Sequence, residues 1–286
     1  MSSTKAFAPA NISCIFKIHK HNNPRWAGSI GLGFTLNEGV VVEIKKSNKN
    51  QNEIYFNDDL IDFPTVNYIL NNISKEKFEV KITSKLPLGC GFGMSGASAL
   101  ATSYSLSKLL NLNKTKKELV ILSHTAEVEN QTGLGDVVNQ YYGGFCLKLK
   151  PSSHFVVEKL PLTNNKIYCK FYNKIETKSI ISNQDLLNKI NTSAELSLKK
   201  INKNNDLKEI IKISKEFSIN SGLLKNEDVI NTIKKIEKNN GSASMIMLGN
   251  AVFSDTKFPD SEEFIISDQG AKLLWQFQKP IHVINL

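Results

Sequence analysis

The sequence predicts an α+β chain folded as two lobes, and three observations predict it. At 286 residues the chain can bury one large core or two modest ones. Its first half sets a strand, a glycine-rich loop and a helix in direct succession, and its second half mixes helices of amphipathic spacing with short apolar strands. The border is expected between residues 155 and 156, within Pro151 to Leu162, where turn-forming residues surround a short apolar strand.

Ala6 to Phe16 and the β-branched Gly39 to Ile44 read as the first two strands. Between them, His19 to Trp26 is polar and Ala27 to Gly33 is glycine-rich, more chain than a turn requires. A strand at Phe78 to Ser84 leads through Leu86-Pro87-Leu88-Gly89 into a helix over Ser95 to Leu110. Helical spacing returns over Lys116 to Asn130, and a shorter helix starts near Asp136, ends at Gly143-Gly144 and gives way to a strand at Phe145 to Leu149.

Beyond the border, Ile167 to Phe171 reads as a strand, and Leu207, Ile210, Ile211 and Phe217 mark the buried face of a helix stopped at Gly222. A helix over Glu227 to Lys238 ends at Asn239-Asn240-Gly241, and Ser244 to Leu248 is a buried strand. Phe264 to Ile266, a helix around Ala271 to Phe277, and His282 to Leu286 complete the second layer.

Composition narrows the function classes. No apolar run reaches the roughly 18 residues of a membrane-spanning helix, and Met1 to Ala10 lacks the pattern of a secretory signal, so a cytoplasmic protein without a membrane partner is expected. The cysteines, Cys14, Cys90, Cys146 and Cys169, are scattered without metal-ligand spacing. The net charge of +9 would suit a polyanion. Its lysines, however, lie in Asn-rich stretches such as Lys45 to Asn52 without interleaved aromatics, so nucleic acid is not an expected partner.

The most informative stretch is Pro87-Leu88-Gly89-Cys90-Gly91-Phe92-Gly93-Met94-Ser95-Gly96-Ala97, with glycines at alternate positions running into a small-residue helix start. Glycines let successive N–H groups turn inward as an anion nest, and the helix N-terminus adds free donors and a positive dipole end. No Gly-Lys-Ser/Thr closes the loop, and its spacing differs from the dinucleotide fingerprint. A plain glycine turn is the bland alternative.

This segment resembles the P-x-G-x-G-L-G-S-S-A-A phosphate loop of the GHMP kinase superfamily. Ala8-Pro9-Ala10-Asn11-Ile12-Ser13, Arg25-Trp26-Ala27-Gly28-Ser29 and Ala126-Glu127-Val128-Glu129-Asn130-Gln131-Thr132-Gly133-Leu134-Gly135-Asp136-Val137 resemble its archaeal pantoate kinase branch. The likeness spans most of residues 5 to 150 and returns weakly at Ser244 to Asn250. It implies a two-lobed fold with an ATP-binding α/β lobe at 1–155 and an α+β lobe at 156–286 that closes the cleft. It also implies ATP and Mg²⁺ as cofactors, phosphorylation of pantoate to 4-phosphopantoate on the way to coenzyme A, and a homodimer as a family-level expectation. Homoserine, mevalonate or a sugar is the alternative acceptor, and a ligand-sensing relative without catalysis is the alternative outside enzymes.

Carried over residue by residue, the resemblance makes Pro87, Gly89, Gly91, Phe92, Gly93, Met94, Ser95, Gly96 and Ala97 the ATP phosphate site and Asp136 the catalytic acid beside the acceptor hydroxyl. Ser95 and Glu127 would form a partial Mg²⁺ shell, with Glu129 as the competing ligand. Asp at a helix start can also be a simple cap, and Glu127 a solvated helix residue. For the acceptor carboxylate, Arg25 offers a bidentate partner, Ser29 completes the anion pocket, and His21 with His19 stands nearby in sequence. His124 is expected to make a structural hydrogen bond. Where many superfamily members carry a first-motif lysine this chain has Asn11, with Lys17 or Lys85 as substitutes. The usual glycine-rich third motif is replaced by Gly241-Ser242-Ala243-Ser244, followed by Met245 and Met247, which read as core residues.

Overall fold

In a computed structural model, residues 3–151, 154–161, 165–173 and 184–274 are described. A long antiparallel pair, β1 (Ser3–His19) and β2 (Gly28–Lys46), forms the spine of the first sheet. β3 (Glu53–Phe56), β4 (Asp59–Leu60) and β5 (Phe78–Thr83) extend it on the β2 side, in the order β1-β2-β5-β3-β4. β6 (Phe145–Lys148) pairs with the opposite half of β2 and with β7 (Val157–Lys159). The second sheet runs β11-β8-β10-β9, from β8 (Lys166–Asn173), β9 (Ala243–Met245), β10 (Asn250–Ser254) and β11 (Glu262–Ile265).

α1 (Pro64–Ile73), α2 (Met94–Leu109), α3 (Lys116–Glu129) and α4 (Asp136–Tyr142) belong to the first half. α2 packs on β1 and β2 beneath α1 and α3, so nearly every residue of it from Met94 to Ser107 is buried. Its small residues are what let a helix pass through so crowded a layer. α5 (Gln184–Leu198), α6 (Leu207–Asn220) and α7 (Glu227–Lys238) serve the second half; α6 and α7 pack on β9, while α5 reaches β1. Aromatic contacts run across both sheets. Phe34 stacks on Phe145 at 5.3 Å and meets Phe253 edge-on at 5.8 Å, and Phe16 meets Phe217 at 5.6 Å. Among the described residues no helix is long and apolar enough to cross a membrane.

Several expectations change. Gly31 and Gly33 lie inside β2, where a Cβ would run into the carbonyls of Ile15 and Ile12, so these glycines serve close strand approach and not a loop. The helix expected around Ala271 to Phe277 is instead a strand at its start. β12 (Lys272–Leu274) pairs antiparallel with Lys5–Phe7 of β1, whose free edge supplies the ladder that local helical spacing cannot foresee. Trp275 to Phe277 and His282 to Leu286 lie outside the described residues. β7 and β12 both follow residue 155, so the first sheet is not built from residues 1–155 alone.

Candidate active site

Glycine sets the path of the loop between β5 and α2. Gly89, Gly91 and Gly93 take φ of 78°, 87° and 62°, values that a residue with a Cβ rarely adopts. The Asn11 amide donates to the Phe92 carbonyl at 2.9 Å, and Gln140 Nε2 donates to the Gly93 carbonyl at 2.7 Å, so the loop is tied to β1 and to α4. Gly93 is the N-cap of α2 and no side chain caps that end. The first amides of α2 are thus left as donors at the positive end of the helix.

The loop borders a cleft of about 500 Å³, within the usual range for small-ligand sites. Gly89, Gly91, Phe92, Gly93, Met94 and Ser95 line it; Pro87, Gly96 and Ala97 do not. Gly96 instead makes room for Glu127, since a Cβ there would sit 3.1 Å from Glu127 Oε2. The Phe92 side chain is buried against Phe171, so this residue offers the cleft its backbone.

α3 begins in a capping box between Thr115 and Glu118 and carries Glu127 to the cleft on its last turn. Glu127 is buried, with Oε1 accepting from Thr132 Oγ1 at 2.7 Å, and the nearby Ser95 hydroxyl shares a hydrogen bond of 3.1 Å with Thr65 Oγ1. Burial pushes its pKa up to about 7; the Ser95 and Thr132 hydroxyls oppose this rise and the Asp136 charge adds to it. Glu129 is exposed and lies outside the cleft lining.

Asp136 opens α4 but does not cap it. Its Oδ1 accepts from Asn11 Nδ2 at 2.7 Å and from Ser13 Oγ at 3.2 Å, while Oδ2 has no hydrogen-bond partner among the described residues. The surrounding protein withdraws the carboxyl from bulk water and raises its pKa, with Lys148, Asn11 and Ser13 pulling it back down. The β1–β2 register shifts between Ser13 and Ile15, and this irregularity turns the strand. Ser13, Phe16 and Ile18, of opposite parity, consequently all line the cleft. Ile18 faces Ser29 across the strand pair, and Ser29 lines the cleft as well.

The cation near Asp136 is Lys148, on β6, which sequence reasoning missed. Its Nζ donates to Ser29 Oγ at 3.1 Å and to the Gly135 carbonyl at 2.9 Å, just behind the cleft wall. A Cβ at Gly135 would collide with that ammonium and with the Ser29 hydroxyl, so a side chain there would displace both. Burial lowers the Lys148 pKa to about 8, against the pull of Asp136. Lys17 and Lys85, the substitutes suggested by the sequence, are engaged elsewhere, with Glu195 and Glu38. The sequence signal for Lys148 was a lone lysine in an otherwise apolar strand after Gly143-Gly144.

The structure does not bring Arg25 and His21 to the cleft. Both are exposed and outside its lining; the Arg25 guanidinium sits 5.8 Å from the Trp26 ring centre, and His21 Nδ1 accepts from the Asn23 amide at 3.0 Å. The polar loop from Lys20 to Trp26 stands off the sheet, which its spacing alone does not show. His124 does make a structural hydrogen bond, Nε2 to the Ala27 carbonyl at 2.9 Å, and burial drives its pKa down to about 4, so the ring is neutral.

In place of the glycine-rich third motif, the strand ends at Met245 and residues 246–249 turn over the phosphate loop, with Leu248 at φ 63°. Gly249 is required because a Cβ would strike the Cys90 carbonyl. Met245 and Met247 are buried, and Met247 and Leu248 also line the cleft. Ser244 Oγ bonds Ser214 Oγ at 3.1 Å, the Ser242 backbone amide donates to Asp255 Oδ1 at 2.8 Å, and neither serine lines the cleft.

The comparisons with known proteins agree with this geometry. Residues 63–144 match the family model for the GHMP kinases N terminal domain. The chain is 36% identical to a pantoate kinase of Methanocaldococcus jannaschii over 88% of its own length and 92% of that protein's. It is 30% identical to one of Methanospirillum hungatei, over 89% and 88% respectively. A solved structure described as a phosphotransferase related to the CoA biosynthesis pathway superposes with a TM-score of 0.83 at 24% identity, covering 95% of this chain and 98% of that one.

Proposed function

Because this chain belongs to the pantoate kinase family of the GHMP kinases, we propose that its cleft transfers the terminal phosphoryl group of ATP to the C4 hydroxyl of pantoate, with Asp136 at the acceptor hydroxyl. The observation that carries this reading is the convergence, in one cleft, of the left-handed glycine loop, the open N-terminus of α2, and the two acids Glu127 and Asp136. Phosphoryl transfer asks a protein chiefly for positioning and for charge placed near the phosphates.

The amides of Gly89 to Ser95 and the α2 dipole would hold the phosphates. Asp136 Oδ2, without a hydrogen-bond partner among the described residues, takes the acceptor hydroxyl proton, and the raised pKa makes the carboxylate a better base. Among the described residues no three His, Cys, Asp or Glu side chains cluster as an all-protein metal site. The donors present fit Mg²⁺, which is satisfied by one or two carboxylates with phosphate oxygens and water. Ser95 and Glu127 would hold it, and it would supply neutralisation of the β- and γ-phosphate charge.

The wall beside Asp136 matches pantoate chemically. Phe16 and Ile18 offer an apolar surface for its two methyl groups, and Ser29, backed by the Lys148 ammonium, offers an anion pocket for its carboxylate. The compartment proposed for this reaction is the cytoplasm, where ATP is at hand. Incubation with Mg-ATP and a panel of pantoate, homoserine, mevalonate and sugars, with detection of the phosphorylated product, tests the reading. Product from pantoate alone is expected; product from another acceptor, or none, overturns it.

A further inference from the structure

Asp136 is held from behind by a chain of buried amides. Asn11, fully buried on β1, donates through Nδ2 to Asp136 Oδ1 at 2.7 Å. Its own Oδ1 accepts from Asn139 Nδ2 at 3.0 Å. Asn139 is buried one turn along α4 from Asp136, wedged so closely under β2 that a Cβ at Gly33 would lie 2.9 Å from its Nδ2. An amide has one donor end and one acceptor end. With Asn139 donating, the Asn11 acceptor is filled and the donor end of Asn11 faces the carboxylate.

We propose that Asn11 is a positioning residue for phosphoryl transfer: oriented by Asn139, it pins Asp136 Oδ1 and so turns Oδ2 to the acceptor hydroxyl. Where many superfamily members place a charged lysine in this motif, a neutral amide does the orienting here, and the nearby positive charge comes from Lys148 on β6. If the Asn11 amide flipped, its oxygen would face the carboxylate, and the repulsion would let the side chain turn away from the cleft. Ser13 Oγ, at 3.2 Å from the same Oδ1, is the weaker second restraint. The inference rests on the reading of Asp136 as the group at the acceptor hydroxyl.

Steady-state kinetics on the full chain with Mg-ATP and pantoate tests it. Asn11→Leu removes the donor, and the isosteric Asn139→Asp removes the group that orients it. Each variant is expected to lower kcat about 10- to 100-fold, the weight of one hydrogen bond to a charged group. Both KM values should stay within about twofold, and the double variant should fall no more than about twofold below Asn11→Leu, because Asn139 acts only through Asn11. A purely structural role would instead raise both KM values and lower the melting temperature alongside kcat. Unchanged kcat in Asn139→Asp, multiplying effects in the double variant, or KM rising in step with the loss of kcat overturns the proposal. Should Asn11→Leu fail to fold, Asn139→Asp decides alone. Asp136→Ala separates the two readings: if it stays active, the role of Asp136 itself is wrong, and if it is dead while Asn11→Leu and Asn139→Asp are unimpaired, only the relay is.

Discussion

Replacing Glu127 with glutamine is expected to stabilise the ligand-free protein at alkaline pH while it removes activity. Glu127 is buried, and its pKa is raised from 4.5 to about 7. Below pH 4.5 folded and unfolded chains both hold the proton. Between pH 4.5 and about 7 the unfolded chain releases it and the folded chain does not, so folding stability falls as pH rises and the loss is complete above the folded pKa. At 1.36 kcal/mol per pKa unit the full loss is on the order of 3 kcal/mol, with about 2 kcal/mol of it between pH 5 and pH 8. Glutamine keeps the shape and can still accept from Thr132, but it has no charge to desolvate. Urea unfolding of both proteins at pH 5 and pH 8 reads this as a difference of differences, in which the variant gains about 2 kcal/mol on the wild type over that interval. If the variant gains nothing, Glu127 ionises without cost, and the argument from its burial is wrong.

Asp136→Ala is expected to lower turnover by orders of magnitude while ATP binding, followed by titration calorimetry, is largely kept. Lys148→Met should raise the pantoate KM about 10- to 100-fold and leave the ATP KM nearly unchanged, since the ammonium backs the Ser29 pocket and not the glycine loop. Gly135→Ala should do similar harm by forcing a Cβ into Lys148 and Ser29, measured through the same two KM values. Arg25→Ala should leave the pantoate KM within about twofold, because the side chain lies on the surface over Trp26.

Local chemistry made much of the site legible in the sequence. The glycines at 89, 91 and 93 announce left-handed backbone on their own, and their run into small residues announces a buried helix. Capping also reads locally: Thr115 with Glu118 fixes the start of α3, while packing on α1 and α2 decides that Glu127 is buried and Glu129 exposed. What depended on distant partners did not read. Lys148 matters because β6 lays it behind Ser29, 119 residues away in sequence, and a lone lysine in an apolar strand does not by itself show which residue it will face. Arg25 looked like an anion ligand by type, and only the course of the 20–27 loop shows that it stands outside the cleft. The strand register was hidden too, because a shift after Ser13 exchanges the faces of Ile15 and Phe16, and the glycines that face it, Gly31 and Gly33, stand on the other strand where local reading takes them for loop. α1 and α5 were overlooked although Pro64 at a helix start and Leu187, Ile190 and Ala194 at helical spacing were available signals.

The central claim is geometric, and a crystal structure with pantoate and a non-hydrolysable ATP analogue tests it most directly. The expected result places the γ-phosphate against the amides of Gly93 to Ser95 and the C4 hydroxyl about 3 Å from Asp136 Oδ2, within hydrogen-bond reach. A phosphate chain bound away from the glycine loop, or an acceptor hydroxyl that meets some other group while Asp136 stays bound only to Asn11 and Ser13, would contradict it.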